Sequence, residues 1–87
     1  MNRTTLSNEI VTDITTFVKL SAPYEVTRDE FDEYCDQVSE YVEEKTGIER
    51  VMVLYSIPDY DRIIRTLTIY TNIASGGFDI DVCIKLK

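Results

Sequence analysis

The side chains in this sequence that are best suited to chemistry are acidic, and they are concentrated between Thr27 and Gly47. Carboxylates can act as general acids or bases, bind a divalent cation through their oxygens, or pair with the cations of a partner. Seven of them recur at steps of one, three or four residues and form what we call the acidic face: Asp29, Asp32, Glu33, Asp36, Glu40, Glu43 and Glu44. The residues around them decide which of these uses applies.

The sequence lacks the residues that usually accompany carboxylates in catalytic and metal-binding sites. A general acid on the acidic face would need an apolar pocket to raise its pKa, and no motif marks one. Asp59 and Asp61 flank a tyrosine in a predicted turn, and Asp79 and Asp81 lie two apart on a predicted strand. Aspartate is common in turns, so we interpret the first pair as turn residues. No lysine or histidine motif accompanies the second pair, so we interpret it as part of the solvated outer face. The chain has no histidine, hence no Cys–His pair and no ordinary zinc site. We predict no enzymatic activity, no metal and no cofactor.

The stretch that carries the acidic face has the signals of a helix at both ends. Thr27 and Glu30 match a capping box, and Gly47 can supply the left-handed residue that ends a helix. An apolar stripe runs between them at helical spacing: Phe31, Tyr34, Cys35, Val38, Tyr41 and Val42. Acidic residues four apart on the other side repel each other, at roughly 0.2–0.5 kcal/mol per pair. A surface that needed only solubility could mix its signs, so the single sign favours a function.

Tyr34 and Tyr41 lie seven residues apart, in line on the predicted helix. Both fall at the margin between the apolar stripe and the acidic face. Aromatic side chains ringed by charge are typical of binding hot spots, because they offer a large contact area at low entropic cost. We predict that they anchor a partner; the alternative is that they only border the core.

The first element, residues 5–20, fits two patterns. One face of a helix would contain Leu6, Ile10, Val11, Ile14, Phe17 and Val18, with Thr5 or Ser7 as the cap. The same segment alternates and is rich in β-branched residues, which suits a strand. We favour the helix and keep the strand open. Pro23 ends the element in either case.

The chain after Gly47 reads as three strands. Residues 51–57 are apolar on both sides, which indicates a central or doubly covered strand. A turn at 58–61 leads to a strand at 62–73, with Ile63, Leu67 and Ile69 on one face and Ile64 on the other. A hairpin at 74–77 precedes the last strand, which alternates without fault and points these residues inward: Phe78, Ile80, Val82, Ile84 and Leu86.

These elements predict a single α+β domain over residues 1–87. Its sheet is a three-stranded antiparallel meander, covered by one or two helices in a two-layer sandwich. The order is ααβββ, or βαβββ if residues 5–20 form a strand.

Composition restricts the environment and the partners. The net charge of −7 disfavours direct binding to nucleic acid or an anionic membrane and favours a basic partner. No apolar run approaches a membrane span and no secretion signal opens the sequence, so we expect a cytoplasmic protein. Cys35 falls on the apolar stripe and Cys83 on the outer register of the last strand, so we expect both to be free thiols.

In size, charge, lack of histidine and the run DEFDEYCDQVSEYVEE, the chain resembles small acidic phage-type inhibitors, the anti-CRISPR and anti-restriction DNA mimics. The resemblance implies that the acidic face replaces DNA phosphates in a basic groove of a host nucleic-acid-binding defence enzyme, within the host cytoplasm. Residues 29–44 would span about 22 Å along a helix. The mean axial spacing of their carboxylates is then about 3–4 Å, against about 3.4 Å per phosphate along one DNA strand.

A second class of function remains open. The chain could be a protein-interaction module that does not mimic DNA, such as an immunity protein, an antitoxin or a small homodimeric regulator. Such a module would bind through the sheet edge or an apolar surface, for example by pairing the long last strand with that of a second copy.

Overall fold

A computed structural model describes residues 7–57, 62–70 and 77–87, and these form two helices and four strands. The elements in chain order are α1 (Asn8–Ser21), β1 (Glu25–Val26), α2 (Arg28–Thr46), β2 (Met52–Ser56), β3 (Ile63–Tyr70) and β4 (Phe78–Leu86). The α+β class predicted from the sequence is confirmed. The predicted turn at 58–61 and most of the hairpin at 74–77 lie outside the described residues.

The first element is a helix, as favoured. Its N-cap is Ser7, whose hydroxyl accepts a hydrogen bond from the backbone N–H of Ile10 at 3.3 Å. Ile14 and Val18 are fully buried, four residues apart on one side. Thr12, Thr16 and Leu20 would share a strand face with them but are exposed, so the burial pattern decides against the strand. The helix ends at Ser21, and Ala22 already has an extended backbone before Pro23.

Helix α2 begins and ends where its caps predict. The Thr27 hydroxyl accepts from the Glu30 backbone N–H at 3.2 Å, and the Glu30 carboxylate accepts from the Thr27 N–H at 2.9 Å. These bonds favour the ionised carboxylate and lower the pKa of Glu30. Gly47 takes the left-handed conformation at φ 75°, and its N–H donates to the Glu43 carbonyl at 2.8 Å. Both ends of the helix are thus fixed by local chemistry.

The sheet has the order β1-β4-β3-β2, and its β2–β3 and β3–β4 pairs are antiparallel, as in the predicted meander. The prediction of three strands needs correction, because β1 pairs parallel with the end of β4. The Lys85 N–H donates to the Tyr24 carbonyl and the Lys87 N–H to the Val26 carbonyl, both at 2.9 Å. Within the described residues the sheet is four-stranded and mixed. The end of the last strand is therefore not free to pair with a second copy.

Part-way along β3, the alternation of inward and outward side chains is interrupted. The register is irregular between Ile64, opposite Ile84, and Thr66, opposite Asp81, because the pairing advances two residues in β3 and three in β4. Ile64 is consequently buried together with Leu67 and Ile69. The prediction that Ile63 shares their face and Ile64 the opposite one is wrong, since strict alternation ignores such an irregularity.

The core lies between one face of the sheet and the two helices, with α2 over β2 and α1 over β4. The inward residues predicted for β4 are confirmed by its alternating burial. The other face of the sheet is open at β2, where Met52 is 53% exposed and Leu54 46%. The prediction that this strand is central or covered on both sides is wrong, because β2 is the last strand of the sheet.

We predict that Gly47→Ala lowers the free energy of unfolding by about 1 kcal/mol, because an alanine side chain is strained at positive φ. A Cβ at this position would meet no atom within 4 Å, so the effect reports backbone strain alone. Urea denaturation followed by circular dichroism measures it. Gly47→Asn is the matched control and should lose less, since asparagine tolerates this conformation. An alanine variant as stable as the parent would contradict this account of the C-cap.

Candidate functional site

The acidic face lies on the side of α2 opposite to the core. At about 100° per residue, its carboxylates fall within an arc of about 120°, centred about 180° from the buried residues. Those buried residues are Phe31, Tyr34, Val38 and Val42. Six of the seven acidic residues are exposed, namely Asp29, Asp32, Glu33, Asp36, Glu40 and Glu44. The helix therefore presents them together on one solvent-facing stripe.

The cations of α2 are directed away from the acidic face. Arg28 places its guanidinium 6.0 Å from the centre of the Tyr55 ring, on the side of β2. Lys45 forms an ion pair with Asp13 of α1 at 3.2 Å, and their hydrogen bond raises the pKa of Lys45. Both cations interact with neighbouring elements and not with the helical stripe of carboxylates. The negative charge of the acidic face is consequently not offset from within the helix.

Glu43 differs from the rest of the acidic face because it also has a structural contact. Its carboxylate accepts a hydrogen bond from the Val51 backbone N–H at 3.2 Å, and the side chain is half-buried. The neighbouring Ser39 hydroxyl donates to the Val51 carbonyl at 2.7 Å. These two bonds satisfy the backbone just before β2 and hold α2 alongside that strand. Glu43 is thus less available to a partner than the six exposed residues.

Tyr34 is buried, and its predicted role as a partner anchor is wrong. Its side chain is 6% exposed, and its hydroxyl donates to the Val18 carbonyl at 3.3 Å and lies 2.9 Å from the Ser21 hydroxyl. Burial raises the pKa of this phenol. The position predicted at the margin of the stripe is instead covered by α1. Tyr34 joins the two helices, which is a structural role.

Tyr41 also faces α1 but remains partly exposed. Its ring stacks on Phe17, with centroids 3.9 Å apart and planes 5° from parallel. Its hydroxyl donates to Asp13 at 3.1 Å, and the Lys45 ammonium lies 5.6 Å from its ring centre. The side chain is therefore held rigidly at the border of the acidic face, where its outer edge remains accessible to a partner.

Compared with family models, curated proteins and solved structures, the chain matches none of them. In the part of the chain that the structure describes, no helix has the length and apolar character needed to cross a membrane. The same residues contain no group of three or more cysteine or acidic side chains arranged to hold a metal ion. Inference about function therefore depends on the geometry of the surfaces.

A second exposed surface was missed by the sequence prediction. Met52 and Tyr70 pair directly across β2 and β3, and Leu54 follows two residues along on the same face. We call these three residues the open-face patch; Tyr70 is 48% exposed, close to the values for the other two. The apolar residues on both sides of β2 could have indicated this surface, but we interpreted them as evidence that both faces of the strand are covered. A contiguous exposed apolar patch of this kind is a candidate site for contact with a partner.

We predict that Tyr34→Phe lowers the free energy of unfolding by about 1 kcal/mol, because the hydrogen bonds that join the helices are lost while the ring remains. Chemical denaturation of purified protein measures the change. Tyr24→Phe, at a side chain that is 81% exposed, is the matched control and should have no effect. Equal stability of the two variants would mean that the hydroxyl of Tyr34 contributes nothing to helix packing.

The two cysteines should differ in reactivity. Burial, with Asp32 and Asp36 nearby, raises the pKa of Cys35 to about 12, whereas Cys83 is exposed. We predict that iodoacetamide at pH 8 modifies Cys83 and leaves Cys35 intact until denaturant is added, because the thiolate is the reactive form. Peptide mass spectrometry locates the modification, and Cys83→Ser should leave the native protein unmodified. Comparable rates at both thiols would contradict the packing of Cys35.

The same shift gives a pH dependence with a defined sign. A raised pKa means that folding favours the neutral thiol of Cys35. Its contribution to stability is present below the usual thiol pKa of 9.0 and is lost as the pH rises through about 12. Ionisation of this group therefore destabilises the protein only in alkaline solution.

Proposed function

We propose that this protein is an acidic inhibitor that binds a basic protein through the acidic face. The partner in this proposal is a nucleic-acid-binding enzyme of a host defence system, of the anti-CRISPR or anti-restriction type, and the acidic face occupies its nucleic-acid groove. The observation that carries the proposal is the alignment of the exposed carboxylates on the side of α2 opposite to the core. Neither cation of the helix lies among them.

The energetics of α2 support a charged partner. Like charges four residues apart cost roughly 0.2–0.5 kcal/mol per pair in the free protein. Lysine and arginine side chains of a groove would relieve this repulsion and add attraction at shorter distance and lower dielectric. The free protein thus carries a strain that a basic partner removes. The mean axial spacing of the carboxylates along α2, about 3–4 Å, is similar to the axial rise per phosphate of one DNA strand, about 3.4 Å.

The rigidity of α2 supports the same proposal. Phe31, Val38 and Val42 are fully buried, and both helix ends are capped. A carboxylate stripe on such a scaffold loses little backbone entropy on binding. Tyr41, stacked on Phe17, offers a fixed aromatic edge beside it.

A second candidate function is favoured by the open-face patch. Exposed Met52, Leu54 and Tyr70 beside an edge strand suit a module that binds through apolar contacts and backbone pairing. Salt separates the two candidates, because ionic strength weakens charge pairing steeply and apolar contacts little.

We predict that the double variant Asp36→Lys/Glu40→Lys abolishes capture of the partner. Immobilised protein is exposed to bacterial lysate at low and high ionic strength, and retained proteins are identified by mass spectrometry. The expected partner is a basic nucleic-acid-binding enzyme, released by high salt and displaced by excess duplex DNA. The variant should unfold at slightly higher urea concentration, since two repulsive pairs become attractive.

The matched control is Glu9→Lys/Glu49→Lys, which makes the same change in net charge at two exposed residues away from the acidic face. It should retain the partner with no more than a small loss. Equal loss in both double variants would show that only net charge matters. A partner held at high salt by the Asp36→Lys/Glu40→Lys variant would replace the inhibitor proposal with the apolar module.

A further inference from the structure

Among the described residues, the outer edge of strand β2 is unpaired. This strand is the last in the order β1-β4-β3-β2 and pairs with β3 on one side, and no described residue pairs with its other side. Backbone N–H and C=O groups on a free edge can bind another strand. Protected edges usually carry charged residues or proline, but the sequence of β2 is Met-Val-Leu-Tyr-Ser. The edge is therefore suited to strand addition.

One side of an added strand would face the open-face patch. Leu54 lies at the centre of β2, and Met52 is two residues away on the same face. Farther from the edge this face becomes polar, where the Thr68 hydroxyl donates to Asp79 at 2.7 Å. The part of this face that an added strand would adjoin is thus apolar at Met52 and Leu54. Every second side chain of that strand would pack there, and apolar residues fit best.

The other side of an added strand would face α2. The helix is held alongside β2 by the contact of Phe31 with Tyr55, whose ring centroids are 4.8 Å apart, and by the Ser39 hydrogen bond to the Val51 carbonyl. Asp32 lies between these two contacts along the helix, and Asp36 is its neighbour one turn on. Both carboxylates are exposed. Long basic side chains of an added strand could extend to them.

A second copy of the chain does not fit this edge. Pairing β2 with its own copy would bring two α2 helices together, each with the acidic face on it, in molecules of net charge −7. Repulsion between the acidic faces opposes that arrangement. A basic partner strand has the opposite effect, because its cations complement Asp32 and Asp36.

We propose that the outer edge of β2 binds an extended segment of a partner protein in which basic and apolar residues alternate. The segment adds to the sheet as a further strand, with its apolar side chains on Leu54 and Met52 and its basic side chains toward Asp32 and Asp36. This mode combines backbone hydrogen bonds with side-chain selection on both faces. It goes beyond the inhibitor proposal, because it requires no nucleic-acid groove and uses only Asp32 and Asp36 of the acidic face.

The test uses a heptapeptide of alternating lysine and valine as the probe. Titration into isotopically labelled protein, followed by amide chemical shifts, should perturb the residues of β2, Met52–Ser56, most strongly. A peptide with the same composition in two blocks, and an alternating peptide methylated on all its backbone nitrogens, should not perturb them. The first control keeps the charge and the second keeps the side chains, so only a pairing strand gives the full response.

Variants of the protein complete the test. Leu54→Lys should weaken binding by about ten-fold, since it removes the apolar contact and adds a like charge. Leu20→Lys is the matched control at a residue that is 83% exposed on α1, and it should leave the affinity unchanged. Leu54→Lys leaves the acidic face intact, so it should not affect capture of a groove-containing enzyme. The two proposals can therefore fail separately.

Three results would overturn the proposal. Equal binding of the block or methylated peptide would show charge attraction without strand addition. Shifts centred on Glu40 and Glu44, with none in β2, would show binding at the acidic face alone. A dimer in sedimentation experiments that Leu54→Lys dissociates would show that a second copy occupies the edge.

Discussion

The burial of one side of α2 against the sheet fixes the orientation of all that this helix exposes. Full burial of Phe31, Val38 and Val42 contributes roughly 1.5–3 kcal/mol per side chain. Four like-charge pairs on the opposite side oppose helix formation by roughly 1–2 kcal/mol in total. Burial wins by a clear margin, so the fold tolerates a helix that its own charges disfavour. The exposed side is thereby free to vary for a purpose other than stability.

Elements whose signals are local could be predicted closely from the sequence. The caps at Thr27 and Gly47 are side-chain and backbone preferences of single residues, and the structure retains them. The alternation of β4 likewise matches its burial. Strand β1 could not be predicted, because its two residues pair with Lys85 and Leu86, which are sixty positions away. The irregular register near Ile64 depends on how β3 pairs with β4, and the sequence of either strand alone does not predict it.

In the candidate site, too, some features could be predicted from the sequence and others could not. The acidic face follows from helical periodicity, so the sequence places its residues correctly relative to the core. The tyrosines were harder to interpret, because the docking of α1 decides their environment. The Tyr34 hydroxyl donates a hydrogen bond to the Val18 carbonyl and lies beside Ser21, and the Tyr41 hydroxyl donates one to Asp13. Each contact joins residues of different helices, so a stripe drawn on α2 alone cannot distinguish a partner anchor from a side chain that packs against α1.

The two exposed surfaces constrain one another. Strand β2 carries an uncharged, partly apolar edge, which in a neutral protein would favour pairing between copies. The acidic face on the adjacent helix opposes that pairing by repelling a second molecule with the same charge. The same repulsion becomes attraction for a basic protein. In the two proposals made above, the acidic face beside the edge of β2 keeps copies of the protein apart and attracts a partner of opposite charge. Such selectivity would account for the single sign of the acidic face, which solubility alone would not require.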